Sequence, residues 1–127
     1  MDGILCVDKP EGFTSFDVIA KMRGIARCKK IGHVGTLDPM ATGVLPLYFG
    51  AATRAVDMVP GQKKEYRATF LLGQTTDTLD RTGALLKTRP VQVGRAEVLA
   101  LLPRFTGEQE QLPPMYSAIK VNGKKLY

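Results

Sequence analysis

The chain has 127 residues, of which 44% are hydrophobic and 24% are charged, and its formal net charge is +6; this composition fits one globular domain or a part of one. No apolar run approaches the ~20 residues that span a bilayer, and Asp2 stands where a signal peptide carries positive charge, so we expect a cytoplasmic chain with no membrane segment. The cysteines Cys6 and Cys28 and the single histidine, His33, argue against a disulfide framework and against a metal site.

The N-terminal segment predicts a strand followed by a helix. The strand covers residues 3–7 and ends at the turn signal KPEG of residues 9–12. Thr14 or Ser15 then caps a helix, because apolar residues recur at helical spacing over residues 18–26.

The middle of the chain predicts a glycine-rich loop, a buried strand and a short helix. Residues 31–42 are mostly loop, and the apolar run of residues 44–49 predicts the strand. Pro46 indicates an edge position or a bulge for this strand, because proline has no N–H for a sheet ladder. Residues 51–59 predict the short helix.

The second half of the chain adds a strand, a polar loop and a helix. Residues 65–72 alternate in polarity, which is typical of a half-buried strand, and residues 75–83 form the polar loop. Residues 94–105 predict an amphipathic helix that Pro103 ends or bends. Strands and helices without regular alternation indicate the α+β class.

The C-terminal residues 116–127 predict a basic hairpin, in which an Asn-Gly pair suits a type I′ turn. Lys120, Lys124 and Lys125, named here the hairpin lysines, lie in this segment, which contains no acid. The cluster indicates either a polyanionic partner such as nucleic acid or a solvated surface. Because natural domains seldom stop within a hairpin strand, we expect residues 1–127 to be a fragment of a longer protein.

Residues 32–45 hold the first candidate for chemistry, Asp38. Glycines in this segment let the backbone approach a ligand closely, and Pro39 fixes the chain on one side of the aspartate. A carboxylate on a stiff loop suits nucleophilic or base catalysis, but Asp-Pro is also an ordinary turn pair whose aspartate binds turn amides. His33 likewise has two interpretations, as a functional residue or as a structural one.

Three other residues also have alternative interpretations. Tyr66 follows two lysines, so it either stacks on a nucleic acid base or belongs to the core. Asp77 and Asp80 either bind a cation or accept hydrogen bonds within a turn, and their spacing, which differs from an EF-hand, favours the turn.

Four segments in chain order resemble the motifs of the TruB-type pseudouridine synthases, the bacterial tRNA pseudouridine-55 synthases. They are GIL, KP, G and TS within residues 3–15, GHVGTLDP and ATGVL within 32–45, KEY, LG, TDT, D and G within 64–83, and PPMYSAIK with GKKLY within 113–127. Because the four motifs span the whole chain at family-like spacing, the resemblance is more specific than one loop.

The resemblance implies a pseudouridine synthase catalytic fold, α+β with a mixed, mainly antiparallel sheet and flanking helices. Residues 1–127 would be the N-terminal portion of this catalytic domain, and the rest of the domain and any C-terminal RNA-binding module would follow. It also implies that the uridine at position 55 in the T arm of tRNA becomes pseudouridine without cofactor or metal. Asp38 would be the nucleophile, His33 would help displace the uridine from the RNA stack, and Tyr66 would stack on the flipped base. Lys9 and Pro10 would support the floor of the site, and the hairpin lysines would grip the tRNA stem-loop. A full-length monomer with no obligatory protein partner is implied as well.

Two other functions are compatible with the sequence. A non-catalytic RNA-binding module would keep the basic hairpin and bind RNA without turnover. A small hydrolase would use Asp38 as a base and act on small substrates that contain no RNA.

Overall fold

The computed structural model of the chain describes residues 1–59 and 63–112, together with the backbone of residues 120–121 and 124–125. The chain divides into two compact units, Met1–Tyr66 and Arg67–Tyr127. Each unit contains a helix and an antiparallel strand pair. The predicted α+β class with mainly antiparallel sheets is therefore confirmed.

The first unit is built on a three-stranded antiparallel sheet. Its strands are β1 (Gly3–Lys9), β2 (Ile31–His33) and β3 (Gly43–Phe49), in the order β1-β3-β2. Helix α1 (Ser15–Ile25) lies between β1 and β2 in the chain, and a 3-10 helix (Gly50–Met58) follows β3. These elements confirm the predicted strands and helices, while the segment predicted to be mostly loop begins with β2.

β3 is the central strand of this sheet although it contains a proline. Pro46 pairs with Cys6 of β1, and its carbonyl oxygen accepts the N–H of Val34 at 3.2 Å, one residue beyond the end of β2. The nitrogen and the carbonyl of one strand residue point to the same neighbouring strand, so the nitrogen of Pro46 also faces β2. The N–H that proline lacks would therefore lie just beyond His33, where β2 ends. The prediction of an edge position or a bulge is wrong because no ladder donor is needed there.

Alternation along β3 places one face of the sheet in the core. Leu45, Leu47 and Phe49 lie on that face, and they form one buried cluster with Val18 and Ile19 of α1. Burying an aliphatic or aromatic side chain of this size contributes roughly 1.5–3 kcal/mol relative to exposure. The cluster therefore fixes α1 on the sheet, and with it the chain segments at either end of the helix.

Helix α1 begins at a capping box. Thr14 Oγ1 accepts the N–H of Asp17 at 3.0 Å, and a carboxylate oxygen of Asp17 accepts the N–H of Thr14 at 2.8 Å. Hydrogen bonds from Thr14 lower the pKa of Asp17 below its ordinary value, and the bond from the Thr14 side chain has a larger effect than the bond from its backbone. Thr14 is thus the cap, which leaves the hydroxyl of Ser15 for another contact.

The second unit contains two short antiparallel pairs. β4 (Gln74–Thr76) pairs with β5 (Leu85–Thr88), and β6 (Lys120–Val121) pairs with β7 (Lys124–Lys125). The second pair confirms the predicted C-terminal hairpin; its Asn-Gly pair lies outside the described residues.

Helix α2 is shorter than predicted. It covers Arg95–Leu101 and continues as a 3-10 helix over Leu102–Phe105, where one α-helix was predicted over residues 94–105. Pro103 lacks the N–H that an α-helical hydrogen bond needs, and the change of helix type begins at the residue before it.

The prediction of a strand over residues 65–72 is wrong. Residues 63–71 have no regular secondary structure, and Tyr66, Phe70 and Leu71 are largely exposed. An alternating segment becomes a strand only where a neighbour completes its backbone hydrogen bonds. No strand within the described part of the chain pairs with these residues.

Candidate active site

The Asp38 loop, residues 34–42, joins β2 to β3 in the first unit. Asp38 is exposed, and its backbone carbonyl accepts the N–H of Ala41 at 3.0 Å. Among the described residues, no hydrogen bond or ion pair reaches the carboxylate of Asp38. The direction of this carboxylate therefore depends on how the backbone on either side of it is held.

The ammonium group of Lys9 holds the loop on the C-terminal side of Asp38. Lys9 ends β1 and is fully buried, with 0% of its surface exposed. Its Nζ donates hydrogen bonds to the carbonyl oxygens of Phe13 at 2.6 Å, Pro10 at 3.0 Å and Pro39 at 3.3 Å. Three N–H donors meet three backbone acceptors, which offsets the cost of burying the charge. The bond to Pro39 ties the loop to the end of β1.

Further hydrogen bonds hold the loop on both sides of Asp38. The N–H of Gly12 donates to the carbonyl of Pro39 at 2.8 Å, with Gly12 at φ +83°, a conformation that glycine adopts without steric cost. The hydroxyl of Ser15 accepts the N–H of Leu37 at 3.1 Å and donates to the carbonyl of Leu37 at 3.3 Å. Asp38 thus lies between two residues whose backbone is bonded to the turn and helix that follow β1.

His33 ends β2 directly before the loop. The side chain is half-buried, and its Nδ1 lies 2.5 Å from the carbonyl oxygen of Gly35. Because a carbonyl only accepts, Nδ1 carries the proton, and in the neutral ring Nε2 is left as an acceptor. Gly35 has φ +74°, so the chain turns sharply after β2 and brings its carbonyl to the imidazole.

Two sets of predicted site residues remain, Tyr66 and the hairpin lysines. Tyr66 lies at the end of the first unit with 69% of its surface exposed, so the core interpretation of this aromatic is wrong. No ring contact or hydrogen bond joins Tyr66 to the Asp38 loop among the described residues. The backbone of the hairpin lysines lies in β6 and β7 of the second unit, and their side chains lie outside the described residues.

The acids of the loop between β4 and β5 act as turn acceptors. Asp80 Oδ1 accepts the hydroxyl of Thr82 at 2.6 Å, its N–H at 2.8 Å and the hydroxyl of Thr78 at 2.8 Å. These bonds, of which the one from the Thr82 hydroxyl is the largest cause, lower the pKa of Asp80 below its ordinary value. Asp77 Oδ1 accepts the N–H of Ala84 at 2.8 Å. The turn interpretation of both acids is confirmed.

Residues 1–59 and 63–112 contain no group of three or more His, Cys, Asp or Glu side chains that could hold a metal ion. In the same two ranges, no helix combines the length and the apolar character needed to cross a bilayer.

The sequence did not predict the role of Ser15. A hydroxyl residue at a helix start indicated a cap, but Thr14 takes that position and Ser15 bonds to Leu37 instead. No pattern in the sequence indicates this contact, or the bond from Lys9 to the carbonyl of Phe13, because both depend on how α1 packs on the sheet.

Comparison with known proteins shows what the chain is similar to. The family described as TruB family pseudouridylate synthase (N terminal domain) matches residues 23–127. The tRNA pseudouridine synthase B of Clostridium kluyveri is 52% identical over 127 residues, which are 100% of this chain and 44% of that protein. The protein of the same name from Geobacillus kaustophilus is 50% identical over 129 residues, 100% of this chain and 45% of that protein. The crystal structure of a Cbf5-Nop10-Gar1 complex matches with a TM-score of 0.63 and 30% identity, over 93% of this chain and 31% of that chain. The chain spans less than half the length of the curated relatives it matches.

Proposed function

Because the chain belongs to the TruB family of pseudouridylate synthases, we propose that the protein isomerises a uridine of tRNA to pseudouridine, with Asp38 as the nucleophile. The observation that supports this role is the exposed carboxylate of Asp38 on a loop that is hydrogen-bonded at Leu37 and at Pro39. We further propose that residues 1–127 are the N-terminal portion of the intact protein, and that the activity belongs to the intact protein.

The proposed reaction breaks the bond between N1 of uracil and C1′ of the ribose and forms a bond between C5 and C1′. The proton leaves C5 and N1 gains one, so the product is an isomer of the substrate. A carboxylate serves this reaction by attacking the uracil ring, by attacking C1′, or by assisting a glycal intermediate. Each route requires a carboxylate held close to one nucleotide, because positioning supplies much of the rate.

The target base must leave the RNA stack before Asp38 reaches it, at a cost of a few kcal/mol. We propose that Tyr66, which is largely exposed, stacks on the flipped base and returns about 1–3 kcal/mol. His33, directly before the Asp38 loop, is proposed to help displace the uridine. Lys9 and Pro10 are proposed to support the floor of the site, where the Lys9 ammonium group donates hydrogen bonds to the carbonyls of Pro10 and Pro39.

The proposed substrate is the stem-loop of the T arm, with the uridine at position 55 as the target. The hairpin lysines would neutralise phosphates on this stem-loop, where each contact releases counterions and makes binding salt-dependent. A cytoplasmic monomer that needs no protein partner, cofactor or metal completes the proposal.

Release of tritium from C5 of the target uridine tests the proposal. The substrate is a T-arm stem-loop labelled at that carbon, and the intact wild-type protein is compared with Asp38→Asn. We expect release by the wild type, none by Asp38→Asn, and equal RNA affinity for both. Asp57→Asn is the matched control, because Asp57 is an exposed aspartate of the same unit outside the loop.

Three outcomes contradict the proposal in different ways. Release by Asp38→Asn at the wild-type rate would remove Asp38 from the chemistry. Tight RNA binding without release by either protein would support a non-catalytic RNA-binding module. Turnover of small substrates that contain no RNA would support a hydrolase in which Asp38 is a base.

A further inference from the structure

Ser15 joins the start of α1 to the residue that precedes Asp38. The side chain is buried, with 4% of its surface exposed. Its hydroxyl oxygen accepts the N–H of Leu37 at 3.1 Å, and the same hydroxyl donates to the carbonyl of Leu37 at 3.3 Å. One side-chain atom therefore satisfies both backbone groups of a loop residue, as a strand partner would in a sheet.

The position of Ser15 is itself fixed. The buried side chains of Val18 and Ile19, which follow Ser15 in the same helix, fix the start of α1 on the sheet. The hydrogen bonds of the Ser15 hydroxyl consequently hold Leu37, which lies 22 positions further along the chain, in place relative to the core.

The two sides of Asp38 are held by different groups. On the C-terminal side, the carbonyl of Pro39 has two donors, the N–H of Gly12 and the ammonium of Lys9. On the N-terminal side, Ser15 supplies both side-chain hydrogen bonds to Leu37. Loss of the Ser15 hydroxyl would leave the loop held at Pro39 and released at Leu37, so the peptide that carries Asp38 could rotate about its fixed end.

We propose that Ser15 is a positioning residue that directs the Asp38 carboxylate toward the target nucleotide. This inference rests on the proposed function of Asp38. The carboxylate has no hydrogen bond of its own within the described residues, so no local contact replaces the restraint from Leu37. A misplacement of about 1 Å in an active site can lower the rate about 100-fold.

The test compares Ser15→Ala and Ser15→Thr with the wild type in the intact protein. Tritium release from the T-arm stem-loop is measured in single turnover at saturating protein, and the RNA dissociation constant is measured separately. We expect Ser15→Ala to lower the single-turnover rate about 10–100-fold while the affinity for RNA stays unchanged. Ser15→Thr keeps a hydroxyl at this position and should restore most of the rate.

Thr14→Ala is the matched control for helix stability. It removes the cap of α1, which lowers stability, but it leaves the Ser15 hydroxyl and its bonds to Leu37. Circular dichroism confirms that each variant is folded at the assay temperature. We expect Thr14→Ala to keep a single-turnover rate close to that of the wild type.

Several results would overturn the inference. They are a wild-type rate for Ser15→Ala, an equal loss of rate in Thr14→Ala, or a folded Ser15→Thr protein that is as slow as Ser15→Ala. Asp38→Asn is measured in parallel, so that a failure of the positioning role of Ser15 can be distinguished from a failure of the proposed function. If Asp38→Asn is inactive while Ser15→Ala is fully active, only the positioning role fails. If Asp38→Asn is active, the nucleophile assignment fails and the positioning role fails with it.

Discussion

Replacing Lys9 by methionine tests whether a buried ammonium group holds the Asp38 loop. Methionine keeps most of the aliphatic volume but cannot donate, so the carbonyls of Phe13 and Pro10 lose the donor that now lies at 2.6 and 3.0 Å. The carbonyl of Pro39 still has the N–H of Gly12 at 2.8 Å. The substitution thus removes the ammonium donor from three acceptors, and two of them have no other donor among the described residues.

The expected cost follows from these two acceptors. A buried polar group without a partner costs about 1–3 kcal/mol. Pro10 is exposed, so water replaces part of its lost bond, and we assign about 1 kcal/mol to this carbonyl and about 2 kcal/mol to that of Phe13. Methionine also avoids the cost of burying a charge, of which we take about 1 kcal/mol to be left uncompensated by the hydrogen bonds of the ammonium group. The net loss in the free energy of unfolding is then about 2 kcal/mol. Lys9→Ala also removes the buried aliphatic stem, and we expect about 2 kcal/mol more.

Urea unfolding followed by circular dichroism measures these differences. Lys29→Met is the matched control, because Lys29 is exposed in the same unit, and a surface substitution of this kind changes stability by about 0.5 kcal/mol or less. A Lys9→Met protein as stable as Lys29→Met would refute the reasoning, since the turn carbonyls would then need no donor from Lys9.

Three further predictions concern RNA binding and acid stability. Replacing Lys124 and Lys125 by alanine should weaken binding of the T-arm stem-loop and lower the slope of log Kd against log salt by about 1–2; an unchanged slope would remove the hairpin from the RNA surface. Tyr66→Ala should lose about 1–3 kcal/mol of binding free energy in an anisotropy titration, while Tyr66→Phe keeps it; equal affinities would exclude stacking by Tyr66. The pKa of Asp80 is lowered on folding, so its contribution to stability is present above the ordinary value of 3.8 and is lost as the pH falls through the lowered pKa. Asp80→Asn should therefore flatten the pH dependence of the thermal midpoint below pH 3.8, and a wild-type dependence would contradict this.

Local patterns were sufficient to predict the core elements of the first unit. The apolar run that became β3 and the helical spacing in α1 both reflect burial on one face, which a sequence records directly. The cap of α1 was predicted to within one residue, because Thr14 and Ser15 have the same kind of side chain. The C-terminal hairpin followed from its turn residues.

The errors arose where the outcome depends on a neighbour. Pro46 lies in a central strand because β2 ends beside it, and the length of β2 is not encoded near Pro46. Residues 65–72 have the alternation of a strand, yet alternation supplies no partner for the backbone. In both cases the deciding information lies in a distant segment of the chain.

The candidate site was likewise predicted only in part. The sequence and its family resemblance single out Asp38 and His33, which lie within or beside one glycine-rich segment. The family resemblance also implies a supporting role for Lys9, but its hydrogen bonds could not be predicted, since Lys side chains are almost never fully buried and three carbonyls must converge before Lys9 can be. Ser15 is similar, because its partner Leu37 comes close only after α1 packs on the sheet.

The enclosure of Lys9 provides a chemical probe of how often the chain around the Asp38 loop opens. Amine-selective acylating reagents modify lysines whose Nζ reaches water, whereas the Nζ of Lys9 is sealed off. Labelling of this one amine, followed by peptide mass spectrometry, can proceed only during transient openings of the surrounding chain. The labelling rate would therefore report the frequency of these excursions in the resting protein, before any RNA is added.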